Sequence, residues 1–343
     1  MKAYILNDFG AIDAIKMTDR PIPELQAGEL LVKMKSASLN RRDLYILHQI
    51  YPLPPVRGIV PLSDGAGEVI ATGDNVTRFK IGDRVMGNYF PGWRDGSVGW
   101  DIADQLGCTQ DGMLCEYAVL KESATVEVPA HLTWEEASCL PCAAVTAWSA
   151  LNGPVPVKAG DTIVTIGSGG VPVFAIQIAK LLGAKVIALT SKDSKISTLK
   201  SYGADEVLNY VINPQWHELV RALTNGNGAD RIIETGGSDT FLQSVSASRF
   251  GGQVVLVSSV GSAGLPSVID LNALLTPMFV NLVTVRPVFV GSRLTFEEMN
   301  RAIAVTKLRP VIDRSFGFDE VHEAYRYFES GSQCGKVVIK ISS

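Results

Sequence analysis

The stretch TIVTIGSGGVPVFAIQIAKLLGAKVIALT, residues 162–190, decides how this chain of 343 residues is read. A short β-branched run (162–166) leads into Gly167, Ser168, Gly169, Gly170, Val171 and Pro172. Apolar positions then recur with helical spacing as far as Gly183, and a second apolar run follows at 185–190. A strand, a glycine-rich turn and a helix in this order form the context in which such a turn cradles a pyrophosphate. Gly167 permits the tight turn, Gly169 lets the backbone come close, and the helix N-terminus aims its free N–H groups at the anion. The third glycine of the pattern is missing. Pro172 stands in its place, which a first helical turn accepts because that N–H has no intrahelical partner.

Outward from this stretch the alternation continues. RIIETG (231–236) and QVVLVSS (253–259) read as buried strands, and KISTLKSYGA (195–204), WHELVRALTNG (216–226) and TFLQSVSASRFGG (240–252) read as helices. Such βαβ units predict a doubly wound parallel sheet, a Rossmann-type dinucleotide-binding domain. The end of its second strand selects the nicotinamide cofactor, because an acid there bonds the adenosine ribose and excludes a 2′-phosphate. Here the run is Thr190, Ser191, Lys192, Asp193, Ser194, Lys195. Its hydroxyls and lysines favour the phosphate, hence NADPH. Asp193 argues the other way, and Lys192 and Lys195 also read as solvated charges at a helix start.

Residues 1 to about 125 have a different texture. LLVKMKSASL (30–39), GAGEVIATG (65–73), VTRFKIGDRVMG (76–87) and LCEYAVL (114–120) are short apolar runs broken by turn residues, as in a β-rich barrel. The tail returns to helical FEEMNRAIAVTK (296–307), a segment at 318–331, and a last strand, GKVVIKIS (335–342), that needs a sheet to join. The expected organisation is therefore discontinuous: one domain from 1–126 and 294–343, and the dinucleotide-binding domain at 127–293. A chain of this length has room for two domains, and ligand sites favour the clefts between domains.

Composition narrows the function classes. A formal net charge of −4 without runs of like charge gives no footprint for nucleic acid. The N-terminus MKAYILNDFG lacks a signal peptide's apolar core, and Leu271 to Val288 is interrupted by Asn272, Pro277, Asn281 and Arg286, so neither secretion nor a membrane span is expected and the protein reads as cytoplasmic. Five cysteines, an odd number, read as reduced thiols, and Cys139 and Cys142 read as packing residues rather than a redox pair.

The sequence resembles the medium-chain dehydrogenase/reductase superfamily, in particular its quinone-oxidoreductase-like branch and its zinc-free branch of "zinc-type alcohol dehydrogenase-like" proteins. The resemblance spans the chain, through SLNRRDLYI (38–46), PLSDGAGEVIATGDNVTRFKIGDRV (61–85), DGMLCEYAVL (111–120), LPCAAVTAWSAL (140–151), the glycine-rich turn, GADEVLNY (203–210), FVGSR (289–293) and GKVVI (335–339). It implies that the β-rich domain is a GroES-like barrel. Zinc-dependent members hold their catalytic metal with a cysteine, a His-Glu pair and a further cysteine or acid. Here Asn40 replaces the first cysteine, Ser63 and Asp64 replace the pair, and Cys142 alone survives. The segment 88–114 has only Cys108 where relatives carry a structural zinc lobe, and His48, His131, His217 and His322 are scattered, so no metal is expected.

Without a Lewis acid, substrates with delocalised charge, quinones and α,β-unsaturated carbonyls, are favoured. By the resemblance, Asn40, Asp43, Tyr45 and Tyr51 line the pocket, with Tyr51 donating a hydrogen bond or a proton to the carbonyl oxygen and Asn40 orienting substrate or nicotinamide ribose. Tyr45 reads equally as core, Asp43 as a helix cap and Arg42 as its bridge. The resemblance further implies cofactor contacts from Thr146, Ser258 to Val260, Val288, Phe289, Val290, Tyr210 near the adenosine half, and Lys336 at the cleft rim. Tyr89, Phe90, Trp93 and Trp100 suggest a pocket for a flat molecule, or packing of a surface lobe. Relatives pair as dimers through the sheet edge, for which NLVTVRPVFVG (281–291) is the candidate. Two other readings stay open: a zinc-free alcohol dehydrogenase or aldehyde reductase, and a nucleotide-binding sensor or structural protein with little turnover.

Overall fold

The computed structural model describes residues 1–258 and 270–342. The first part of the chain builds β1 (Lys2–Leu6), β2 (Ile15–Asp19), β3 (Glu29–Ser38), α1 (Arg41–Leu47), β4 (Asp64–Thr72), β5 (Arg84–Gly87), β6 (Tyr117–Lys121), β7 (Thr125–Glu127) and α2 (Trp134–Ser138). Then come α3 (Val145–Asn152), β8 (Thr162–Ile166), α4 (Gly170–Leu181), β9 (Lys185–Thr190), α5 (Ile196–Ser201), β10 (Glu206–Asn209), α6 (Trp216–Leu223), β11 (Ala229–Glu234), α7 (Phe241–Ala247), β12 (Ser248–Leu256), α8 (Leu271–Val280) and β13 (Thr284–Pro287). The tail forms α9 (Arg293–Thr306), β14 (Ile312–Gly317), α10 (Val321–Glu329) and β15 (Lys336–Lys340).

Two compact units result: Met1–Val145 with Val290–Ser343, and Thr146–Phe289. The first division falls after 145, where the sequence suggested 126. The intervening segment belongs to the barrel: the Ser38 hydroxyl donates to the Ser138 carbonyl at 2.8 Å, and the Cys142 N–H donates to Asp64 at 3.2 Å. The second division falls at 289/290, before the N-terminus of α9, where the sequence suggested 293/294.

In the barrel unit, strands run in the order β14-β15-β3-β4-β5-β7, with β6 also pairing β3. The terminal strand finds its place here, β15 lying antiparallel to β3 with Val338 opposite Ser38. Alternation along β3 buries Leu30, Val32 and Met34, and these join Leu44, Leu120, Tyr325 and Ile339 in one apolar core. In the other unit the order is β10-β9-β8-β11-β12-β13, and every pairing is parallel. Both faces of such a sheet are covered, so its central strands carry apolar cores: Ile163, Val164, Ile187, Ile232 and Val254 are all buried. The predicted helix at 240–252 ends early, and β12 begins at Ser248, with Ala229 pairing Ser248 across a register shift. A parallel sheet aligns all its carboxyl ends along one edge, and the order reverses between β8 and β11, which is where ligands bind in folds of this kind. Among the described residues no helix is long and apolar enough to cross a membrane.

Candidate functional site

The glycine-rich turn follows β8. Gly167 adopts φ +88 and its N–H donates to the Leu189 carbonyl at 2.7 Å, so a residue with a Cβ would be strained there. A Cβ added at Gly169 would meet nothing within 4 Å, so the concavity before the twelve-residue helix α4 is open. Pro172 is buried in the first turn of that helix, and its ring lies 3.8 Å from where a Cβ of Gly167 would stand. It thus covers the turn from behind in place of the missing glycine. A backbone cradle with an open face, aimed by a helix N-terminus, fits the pyrophosphate of a dinucleotide.

Several of the candidates for cofactor binding follow the carboxyl ends of strands in the same sheet, whereas Asn40, Val290 and Lys336 belong to the barrel unit and Thr146 to α3. Thr190 is buried at the end of β9, its hydroxyl accepting from the Lys192 N–H at 3.3 Å. Ser191 and Lys192 are exposed. Lys195 reaches back to the turn, its ammonium donating to the Ser168 hydroxyl at 2.8 Å. Asp193 accepts from the Asn209 side-chain amide at 2.7 Å. Beyond β10, the Tyr210 N–H donates to the Thr190 carbonyl at 3.0 Å. Ser258 lies half-buried after β12, and Val260 lies outside the described residues. The Val288 N–H donates to the Leu256 carbonyl at 3.0 Å, Phe289 is 51% exposed, and Thr146 is buried on α3.

Sequence reading missed Glu234. At the carboxyl end of β11 this fully buried carboxylate accepts from the backbone of Gly236 and Gly237 and from the hydroxyls of Thr240 and Ser244. Burial pushes its pKa up while those donors pull it down. The only signal in the sequence is an acid directly after the apolar pair Ile232 and Ile233.

In the barrel unit a polar cluster is buried around the start of α1. Asn40 is the N-cap, and the Asp43 carboxylate accepts its N–H at 2.7 Å, so Asp43 does cap the helix. Lys336, expected at a rim, is instead only 2% exposed: β15 pairs with β3 and carries its side chain inward. Its ammonium donates to Asn40 Oδ1 and to the Leu39 carbonyl, both at 2.7 Å, and stands 3.6 Å from Asp64 Oδ2. Asp64 also accepts from Ser63 at 2.7 Å. Two buried cations, Arg42 and Lys336, therefore face two buried carboxylates, Asp43 and Asp64. Burial raises Asp43 to about 6, against the opposing pull of Arg42.

Tyr51 is half-buried, and its hydroxyl bonds Gln105 Oε1 at 2.7 Å and meets the Tyr89 hydroxyl at 2.9 Å. Tyr45 is half-buried on α1. Asn40 Nδ2, Gln105 Nε2 and Arg42 Nε are buried donors without a partner among the described residues. An unmet buried donor costs about 1–3 kcal/mol, which a ligand oxygen would recover. Val290 adopts φ +49, a left-handed conformation rare for a β-branched residue and a mark of backbone strain.

The donor set does not suit a divalent metal. The Asn40 amide oxygen is taken by an ammonium, that ammonium sits beside Asp64, and burial followed by the Asp64 charge pushes the Cys142 thiol well above its ordinary pKa.

A dinucleotide cradle on a parallel sheet, together with a barrel whose buried polar cluster presents a tyrosine, defines a class of two-unit oxidoreductases. Comparison with known proteins agrees. The model described as "Alcohol dehydrogenase GroES-like domain" matches residues 26–130, and that described as "Zinc-binding dehydrogenase" matches residues 170–305. A zinc-type alcohol dehydrogenase-like protein of Schizosaccharomyces pombe is 39% identical over 343 residues, covering 98% of this chain and 99% of that protein. The 2-methylene-furan-3-one reductase of Solanum lycopersicum is 30% identical over 355 residues, covering 99% of this chain and 79% of the reductase. The crystal structure of an NAD-dependent alcohol dehydrogenase superposes with a TM-score of 0.89 at 30% identity, covering 100% of each chain. The chain belongs to the medium-chain dehydrogenase/reductase superfamily, in its zinc-type alcohol dehydrogenase-like branch.

Proposed function

We propose that this protein is an NADPH-dependent oxidoreductase that reduces a quinone or an α,β-unsaturated carbonyl without a metal. One observation carries the reading: the Lys336 ammonium is bonded to Asn40 and stands beside Asp64, so a cation of the protein's own engages the two residues that, by the resemblance, replace zinc ligands. A carbonyl left without a Lewis acid is best reduced where its developing charge is delocalised, which favours conjugated substrates. The similarity to an enone-type reductase supports the same class.

When bound, the reduced nicotinamide supplies a hydride. The chain's own residues do the rest. The turn from Gly167 to Pro172 would hold the pyrophosphate, with Thr146, Tyr210, Ser258, Val288, Phe289 and Val290 as the residues to contact the remainder of the cofactor. Lys195 and Ser168, already 2.8 Å apart, close on a 2′-phosphate with Thr190, Ser191 and Lys192 beside them. The Asp193 carboxylate is held by the Asn209 side-chain amide at 2.7 Å. In the barrel unit the unpartnered Asn40 Nδ2 donates to a ligand oxygen, Asp43 and Lys336 fix the Asn40 side of the pocket, and the Tyr51 hydroxyl delivers a proton.

Association as a homodimer belongs to the same reading: β13 is the terminal strand of its sheet, and α8 exposes Leu275, Phe279 and Val280. The test is consumption of NADPH and NADH by chelator-treated protein with a quinone, a conjugated enone and a simple aldehyde. Turnover of the first two with NADPH is expected; turnover that needs added zinc contradicts the proposal.

A further inference from the structure

Two tyrosine hydroxyls inside the barrel unit share one acceptor. Tyr51 Oη is 2.7 Å and Tyr89 Oη 2.9 Å from Gln105 Oε1, Arg42 Nη2 approaches the same oxygen at 3.4 Å, and the hydroxyls stand 2.9 Å apart. An amide oxygen has two lone pairs and each hydroxyl one proton. With both protons on Gln105, the phenol oxygens would face each other lone pair to lone pair. The arrangement closes only when one hydroxyl donates to the other. Access decides which: Tyr89 is 2% exposed and has no outlet, whereas Tyr51 is half-buried.

We propose that Tyr89 is the positioning residue that makes Tyr51 a proton donor, by donating its own hydrogen bond to the Tyr51 oxygen as the Tyr51 proton leaves. This rests on the reading of Tyr51 given above. In the step, the Tyr51 O–H bond breaks and its proton joins the substrate atom that holds the electron pair displaced by hydride. The negative charge left on the Tyr51 oxygen is met by the Tyr89 hydroxyl and by Arg42, and water restores the proton. A hydrogen bond to an anion is roughly twice as strong as one between neutral groups, so Tyr89 holds the product of the transfer better than its reactant.

Arg42 is placed to help. Its guanidinium lies 5.4 Å from the Tyr51 ring centre and 4.7 Å from that of Tyr89, and the Leu106 carbonyl holds it at 2.9 Å, with Asp43 at 3.5 Å. The ionisable groups that bear on Tyr51 are Arg42, Tyr89 and Cys108, whose thiol burial keeps neutral; Cys142 also bears on Tyr89. Burial raises both tyrosines, and for Tyr51 the guanidinium and the Tyr89 hydroxyl pull the other way.

Tyr89→Phe keeps the ring and deletes the hydroxyl. In cofactor-free protein, NMR of ζ-carbon-labelled tyrosine, with the Tyr51 signal assigned through Tyr51→Phe, should show Tyr51 ionising about one pH unit higher in Tyr89→Phe. The basic limb of kcat should move up with it, kcat should fall about tenfold, and KM should stay within about twofold. An unmoved Tyr51 signal and limb in a Tyr89→Phe protein with wild-type thermal unfolding overturns the proposal. Should Tyr89→Phe not fold, a proton inventory on the wild type decides: curvature is expected from two hydroxyl protons, and a straight line overturns it. Wild-type kcat in Tyr51→Phe would sink the Tyr51 reading itself, whereas an impaired Tyr51→Phe beside an unaffected Tyr89→Phe sinks only the role of Tyr89.

Discussion

The two units build their sites from different materials. In the parallel-sheet unit the cradle is backbone, Gly167 at φ +88 and Gly169 open before α4, and its side chains decorate the edge. In the barrel unit the site is almost all side chain: Asn40, Arg42, Asp43, Asp64 and Lys336, buried and mutually neutralised. A backbone cradle is stable whether or not ligand is bound, because water solvates its open face. A buried ionic cluster is stable only as a set, because each charge left alone keeps its full desolvation cost.

That contrast makes Lys336→Met the most disruptive single change. It strands Asp64 and removes the donor to Asn40, and should lower unfolding free energy by about 3–5 kcal/mol in a denaturant titration. Asp43 gives a pH test. Its folded value of about 6 lies above the ordinary 3.8, so its contribution to stability is fully present below pH 3.8 and is lost as pH rises through 6. Wild type should lose roughly 3 kcal/mol more than Asp43→Asn across that window.

On the backbone side, Gly169→Val should fold normally, since a Cβ there meets nothing, yet weaken dinucleotide binding by about 100-fold by filling the cradle. Normal affinity in calorimetry would break the comparison. The smallest change expected is from Lys195→Ala, which should cost about tenfold in NADPH affinity, or roughly 1.4 kcal/mol, and leave NADH binding unchanged. Equal losses for both cofactors would reassign Lys195 to a purely structural contact with Ser168.

How much could be read from sequence follows the same division. The turn from Gly167 to Pro172 is contiguous, its flanking strand and helix carry clean periodicities, and the parallel sheet followed from them. The barrel cluster joins Asn40 to Lys336 across 296 positions, and nothing local to either residue announces the contact. Resemblance brought Asn40, Asp43, Tyr51 and Lys336 forward, but only burial showed Lys336 to be interior. Gln105 carried no signal at all, and Tyr89 only an aromatic hint, because their roles come from where the loops after β5 bring them. Glu234 was hidden for a related reason: its value lies in the four donors that converge on it.

The most direct test of the central claim is to follow the label from nicotinamide-deuterated NADPH into a conjugated aldehyde, using chelator-treated protein and mass spectrometry of the product. Deuterium on the β-carbon of the saturated aldehyde, with undiminished rate after zinc removal, is the predicted result. Deuterium on the carbinol carbon of an allylic alcohol, or activity that returns only with zinc, would contradict it.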